Sequence, residues 1–281
     1  MRWIRASTYL RDLTHDGLGE LAARAGLAGA QVHAVGLDPG APRWVADDGR
    51  WRYPASMIKV PLAVAATAAI AAGGLAWDTT VAIDRANVTP NDAPSPFEPG
   101  YVASVDELVT FMLQRSDNVA TNQLYDVLGR AHATATVNAL GYPETAFRRK
   151  LSGADPLIDD PHATGRNSFP AREAAALFAA IATDAVPGAE RLRAILATSW
   201  WDVKLSRGLA PGDAFAHKTG DTSAVSHDGG ILTLADGSRW IVVVYTELPS
   251  NEENDERFGA FMRALRPFLK TGATSRAWST G

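Results

Sequence analysis

The sequence predicts an α/β fold of the α+β type: an antiparallel sheet flanked by N- and C-terminal helices, with an all-helical subdomain beside it. Three observations predict it. Strand-like segments occur only near the two ends, separated by a long helical middle, so strands remote in sequence must meet in one sheet. The chain has 281 residues, 46% of them hydrophobic, which is near the upper size for a single core. No internal repeat or low-complexity block interrupts this order. The expectation is one domain over residues 1–281. Within it, 1–50 and 200–270 form a sheet subdomain, 51–199 a helical subdomain, and 271–281 a flexible tail.

The elements follow in order. Residues 10–25 read as an opening helix. After a glycine break, 31–37 alternates as a strand, and 43–46 returns as its partner across Asp38-Pro39-Gly40. A long helix is expected over 56–72. Residues 84–101 hold Pro90, Asn91, Pro94, Pro96 and Pro99 and read as a surface loop. Ser104 followed by Glu107 is a capping box that starts a helix over 108–114. Helices continue over 118–128 and 131–140. Residues 150–168 show neither helical nor strand period, and a loop of that length in a compact domain is usually functional. Helices at 170–183 and 189–197 precede strands at 213–218, 230–235 and 240–246, the last two joined by Asp236-Gly237. A final helix covers 251–269.

Composition excludes several classes of function. The 27 basic and 31 acidic residues leave a net charge of −4, which argues against nucleic acid as a partner. Without cysteine there is no disulfide framework, thiolate metal site, iron–sulfur cluster or cysteine nucleophile. The six histidines show no ligand spacing, so no metal and no cofactor is expected. The N-terminus carries early positive charge without an apolar stretch of signal length. Residues 60–77 are free of charge, but alanine-rich and punctuated by Pro61, Gly73 and Gly74, which suits a buried helix better than a membrane span. The expectation is a soluble, cytoplasmic protein with no membrane partner; its oligomeric state is not legible.

Three short motifs stand out: Ser56-Met-Ile-Lys59, Ser116-Asp-Asn118 and Lys218-Thr-Gly220. Each alone is weak. Ser56 would also suit a helix cap, and Ser116-Asp-Asn118 an ordinary helix start. A second Lys-Thr-Gly at 270–272 lies in the tail and is set aside. What is specific is their order and context: the first opens a buried helix, the second lies between helices, and the third is on a late strand. At i and i+3, Ser56 and Lys59 face the same way. A serine hydroxyl needs a base. A lysine can be that base if burial, a second cation such as Lys218 and a helix N-terminus lower its pKa.

With these motifs the sequence resembles the superfamily of class A β-lactamases and penicillin-binding transpeptidases, over roughly residues 31–269. The resemblance implies a β-lactamase/transpeptidase-like fold. It also implies a serine hydrolase or acyltransferase that forms an acyl-enzyme on Ser56 with a small-molecule amide, ester or β-lactam. It makes Ser56 the nucleophile, Lys59 the acylation base and Ser116 the proton shuttle, with Lys218 alongside. It gives Asn118, Thr219 and Gly220 to substrate binding and the Asp221 N–H to half of an oxyanion hole.

The sequence also departs from that pattern. Class A β-lactamases carry a Glu-x-x-x-Asn loop whose glutamate activates water for deacylation. The aligned positions here are Ser152 or Gly153, and the nearby carboxylates are only Asp155, Asp159 and Asp160. Poor deacylation of β-lactams is therefore expected. His227 falls where many members place an arginine for the substrate carboxylate. It would serve there only when protonated, and a structural hydrogen bond suits it equally. Asp221 adds negative charge at the same rim. Two alternatives stay open: a true class A-type β-lactamase with another water activator, and a non-catalytic protein that binds β-lactams or peptides. If the chain is cytoplasmic, an intracellular ester or amide is the expected substrate.

Overall fold

A computed structural model of the protein describes residues 13–269. The first residues of the expected opening helix, the tail and the second Lys-Thr-Gly lie outside the described residues.

Five strands form one antiparallel sheet: β1 (Gln31–Gly36), β2 (Arg43–Ala46), β5 (Ala214–Asp221), β6 (Ser226–Thr233) and β7 (Arg239–Tyr245), in spatial order β2-β1-β7-β6-β5. The two ends of the chain are joined through β1 and β7, with Val32 opposite Val244 and Val35 opposite Ile241. Alternation along β7 explains why both faces are covered. Trp240, Val242 and Val244 point into a cluster with Leu18 of α1 (His15–Arg24) and with Phe258, Phe261 and Leu265 of α8 (Glu252–Leu265). Ile241, Val243 and Tyr245 point the other way, into the core of the helical part. All six are fully buried, and each such aliphatic side chain stabilises the fold by about 1.5–3 kcal/mol.

The helical part is built around α2 (Lys59–Ala71). Every residue from Lys59 to Thr67 is buried, which suits a sequence apolar all round rather than on one stripe. α2 packs on α3 (Val105–Gln114), α4 (Asn118–Leu128) and α5 (Arg130–Ala139). α6 (Ala171–Ala182) and α7 (Ala189–Leu196) connect this layer to the sheet. The charge-free run is thus a core helix of 13 residues followed by a turn at Gly73. Among the described residues no helix is long and apolar enough to cross a membrane.

Two caps position the site. Ser104 Oγ accepts the Glu107 N–H at 3.1 Å, but Glu107 does not complete the box; its carboxylate accepts the Tyr101 hydroxyl at 2.7 Å. Asp117 Oδ1 accepts the Ala120 N–H at 2.8 Å and starts α4, leaving the residues on either side of it free for other contacts.

The structure differs from the sequence expectations in three places. The turn-rich stretch is bounded by two short strands, β3 (Thr80–Ala82) and β4 (Val102–Ser104), which pair antiparallel; three residues are too few for an alternation signal. β6 begins at Ser226 and not at 230, because Ser226, His227 and Asp228 are polar yet fully buried. The expected helix over 56–72 begins as a 3-10 turn, Ala55–Ile58, and becomes α-helical only at Lys59.

Candidate active site

A cleft of about 780 Å³ opens between the β5 edge of the sheet and the helical part. Ser56, Ser116, Asn118, Thr219 and Asp221 line it. The backbone is strained beside the reacting groups: Ala55, just before Ser56, has φ +47°, and Ser116 has φ +61°. Left-handed conformations of non-glycine residues cost of order 1–3 kcal/mol and collect at functional sites.

Lys59 is wholly buried. Its Nζ lies 2.9 Å from Ser56 Oγ, 3.1 Å from Ser116 Oγ, 2.5 Å from the Ser116 carbonyl and 2.8 Å from Asn118 Oδ1. Two of these partners, the carbonyl and the amide oxygen, can only accept. A neutral amine has two N–H bonds for them and keeps its lone pair for the Ser56 hydroxyl hydrogen. Burial, and then the charge of Lys218, hold Lys59 well below the usual lysine pKa, which favours that neutral form.

Lys218 is also wholly buried and donates to Ser116 Oγ at 3.0 Å and to the Thr219 carbonyl at 2.8 Å. Burial lowers its pKa to about 7; Asp221 opposes that shift and Lys204 adds to it. Both lysines therefore converge on Ser116 Oγ.

Gly220 is required by space. A Cβ there would lie 2.9 Å from the Pro54 carbonyl and 3.1 Å from Met57 N, so only glycine lets β5 run this close to the turn that carries Ser56. Gly153 is similar on the loop side: a Cβ would run into the Pro90 carbonyl at 1.8 Å and meet Asn118 Nδ2 at 3.3 Å. Of the loop carboxylates, Asp155 lines the cleft, whereas Asp159 does not. Asp160 points away from it and is held by Arg130 at 2.6 and 2.9 Å and by the Lys150 N–H at 2.8 Å. No glutamate is among the residues lining the cleft.

The structure brings Ser56, Lys59, Ser116, Asn118, Lys218, Thr219, Gly220 and Asp221 together. It does not bring His227 there, and this corrects the substrate-binding expectation. His227 is wholly buried on β6. Its Nε2 faces the Tyr53 carbonyl at 2.8 Å, its Nδ1 accepts the Thr246 N–H at 3.1 Å, and its ring stacks on Tyr245 at 4.1 Å. Burial pushes its pKa down to about 4, so of the two roles open to it the structural, neutral imidazole is the one adopted, and the substrate-binding one is not. The other candidate cation was not legible. Lys204 is wholly buried, pairs with Asp221 and donates to the His227 carbonyl at 3.1 Å. Burial works to raise the Asp221 pKa, but Lys204, together with Ser250 and Lys218, holds it below the usual carboxylate range.

Sequence reasoning also missed Asp92, Asp255, Tyr53 and Trp201, all of which line the cleft. They come from four separate segments with no motif around them. Asp92 sits in the proline-rich loop, and its charge acts on both Lys59 and Lys218. Among the described residues no group of three or more histidine, aspartate or glutamate side chains could hold a metal ion.

Comparison with known proteins adds the following. A model of the beta-lactamase enzyme family matches residues 19–265. A search of curated proteins finds no match. Among solved structures, PBP-A is 24% identical, with 92% of this chain and 96% of that one covered and a TM-score of 0.78. A beta-lactamase from Sphaerobacter thermophilus is 23% identical over 92% and 97% of the two chains, with a TM-score of 0.76. One from Xanthomonas campestris pv. campestris is 20% identical over 92% and 100%, with a TM-score of 0.78. At these identities the structural likeness concerns the fold.

Proposed function

The chain belongs to the beta-lactamase enzyme family, and from that premise we propose that it is a serine hydrolase or acyltransferase that forms an acyl-enzyme on Ser56 with an amide, ester or β-lactam. The observation that carries this reading is the convergence of Lys59 Nζ on Ser56 Oγ and Asn118 Oδ1, within 2.9 Å of each, in a fully buried position that disfavours its charge. Neutral Lys59 takes the Ser56 proton as Oγ attacks the carbonyl carbon. The N–H groups of Ser56 and Asp221 receive the developing oxyanion. The C–N or C–O bond then breaks, and Ser116 gives its proton to the leaving group, recovering one from the lysines that flank it. Asn118 and Thr219 hold the substrate.

Release of the acyl group is the weaker half of this site. The loop presents Gly153 to Asn118 with no room for a side chain, so a β-lactam is trapped rather than turned over, and a smaller acyl group passes to water or another acceptor. The test is intact-mass spectrometry after exposure to penicillin G at millimolar concentration. A long-lived mass gain equal to the whole inhibitor, absent in Ser56→Ala, is expected. Rapid turnover without an adduct overturns the trapping, and an adduct in Ser56→Ala overturns the nucleophile.

One observation favours a second reading, a true β-lactamase with a different water activator: Asp155 lines the cleft. If Asp155 activates water, Asp155→Asn lengthens the adduct lifetime by about 10²-fold or more. An unchanged lifetime removes that reading.

A further inference from the structure

The charges around the far end of the cleft pair off with one left over. Lys204 pairs with Asp221, Arg207 with Glu256, and His217 with Asp228. Asp255, on α8, lines the cleft beside Asp221, Thr222, Ser223 and Ser250, and its Oδ1 is buried without any hydrogen-bond partner. Burial raises its pKa to about 6; Lys204 opposes this and Asp221 reinforces it. An ionisable oxygen in that position costs free energy until a cation or donor reaches it.

The rest of the cleft has the same sign. Its lining holds four carboxylates, Asp92, Asp155, Asp221 and Asp255, against Lys204, whose ammonium is already taken. Lys59 and Lys218 beneath the lining are wholly buried and held below the usual lysine pKa. Arg166 lies behind Tyr53, 5.5 Å from that ring, and Arg149 is turned to the Ile158 carbonyl; neither lines the cleft.

We propose that this cleft selects an acyl substrate carrying an ammonium group, which Asp255 receives, over one carrying a carboxylate. The inference rests on the acyl-enzyme reading and adds the substrate class to it. It makes Asp255 a specificity-determining residue and predicts slow acylation by anionic β-lactams.

The test uses three p-nitrophenyl esters of one chain length, from ω-aminohexanoate, heptanoate and pimelate, ending in ammonium, methyl and carboxylate. At low ionic strength kcat/KM is expected to be about tenfold or more higher for the ammonium ester than for the carboxylate ester. In Asp255→Asn that ratio, measured within one protein and so independent of how much of it folds, narrows to about threefold or less. A carboxylate ester turned over as fast as the ammonium ester, or a ratio untouched by Asp255→Asn, overturns the proposal. Calorimetry on Ser56→Ala with ω-aminohexanamide and pimelamate separates it from the catalytic reading. Tighter binding of the cationic amide supports the proposal even if no ester acylates Ser56, and equal or reversed affinities overturn it.

Discussion

His217 and Lys218 are neighbours on β5, and the two faces of that strand shift their pKa values in opposite directions. His217 points to the side of the terminal helices, with Nδ1 2.7 Å from Asp228 and Nε2 3.2 Å from Asp202. Although burial works against it, the charge of Asp228 and the bond to Asp202 lift its pKa to about 9. Lys218 points into the cleft, where burial brings it down to about 7. The histidine is thus the stronger base of the two, against their usual order. Charge follows what each face supplies: two carboxylates bonded to the imidazole on one, and on the other a buried ammonium bonded only to the Ser116 hydroxyl and the Thr219 carbonyl. Strand alternation lets one strand carry a structural cation and a titrating one side by side.

The largest effect that breaks the comparison is on the cleft face. If Lys59 acts as a neutral base, Lys59→Arg restores size and charge but never deprotonates. The acylation rate of Lys59→Arg should therefore fall about 10²–10⁴-fold, as far as that of Lys59→Ala. Stopped-flow acylation measures this, and an active arginine variant would show that the cleft does not need an uncharged amine.

Next comes Lys218. With its pKa at about 7, the protonated form that donates to Ser116 Oγ is lost as pH rises through neutrality. Wild-type kcat/KM should fall by up to about tenfold per pH unit above that point. Lys218→Arg keeps a donor and a charge throughout, so its alkaline limb should vanish, whatever its absolute rate. A limb that survives the substitution assigns the titration to another group.

How much of this was legible in the sequence differs between the two faces. The cleft motifs could be read because each is local: Ser56 and Lys59 are one turn apart, Ser116 and Asn118 flank a capping Asp117, and Lys218 and Gly220 share a strand. The sheet and its terminal helices could also be read, from the unbroken apolar run of β7 and the periodicity of α8. Residues that act across the fold could not. Lys204, Asp92 and Asp255 reach the cleft from a loop, a proline-rich turn and α8, and only the tertiary fold brings them there. Of the two roles the sequence left open for His227, the structure takes the structural hydrogen bond, because β6 starts earlier than its polar residues suggested and turns the ring into the core. Strand alternation alone turns His217 away from the cleft that Lys218 faces, but its two aspartate partners lie in other segments.

On the back face, His217 links stability to pH. Its folded pKa of about 9 lies above the unfolded value of about 6.5. The stabilisation is therefore complete below about pH 6.5 and is lost as pH rises through 9, amounting to about 1–3 kcal/mol. Denaturant unfolding of the wild type between pH 6 and 9.5 should show this decline, and His217→Gln should flatten it. An equal slope in both proteins would mean that His217 is not charged in the folded state.

The smallest effect separates the two partners of His217. The Asp202 side chain is 72% exposed and that of Asp228 fully buried, so water screens the first and not the second. Asp202→Asn should then cost about 0–1 kcal/mol and leave the His217 resonance titrating only slightly below its wild-type midpoint. Asp228, which also accepts the Leu205 N–H at 3.0 Å, holds the charge from inside. Proton titration of the His217 ring by NMR decides this. If Asp202→Asn returned His217 to an ordinary histidine midpoint, the charge on the back face would come from the solvent edge and not from the buried Asp228.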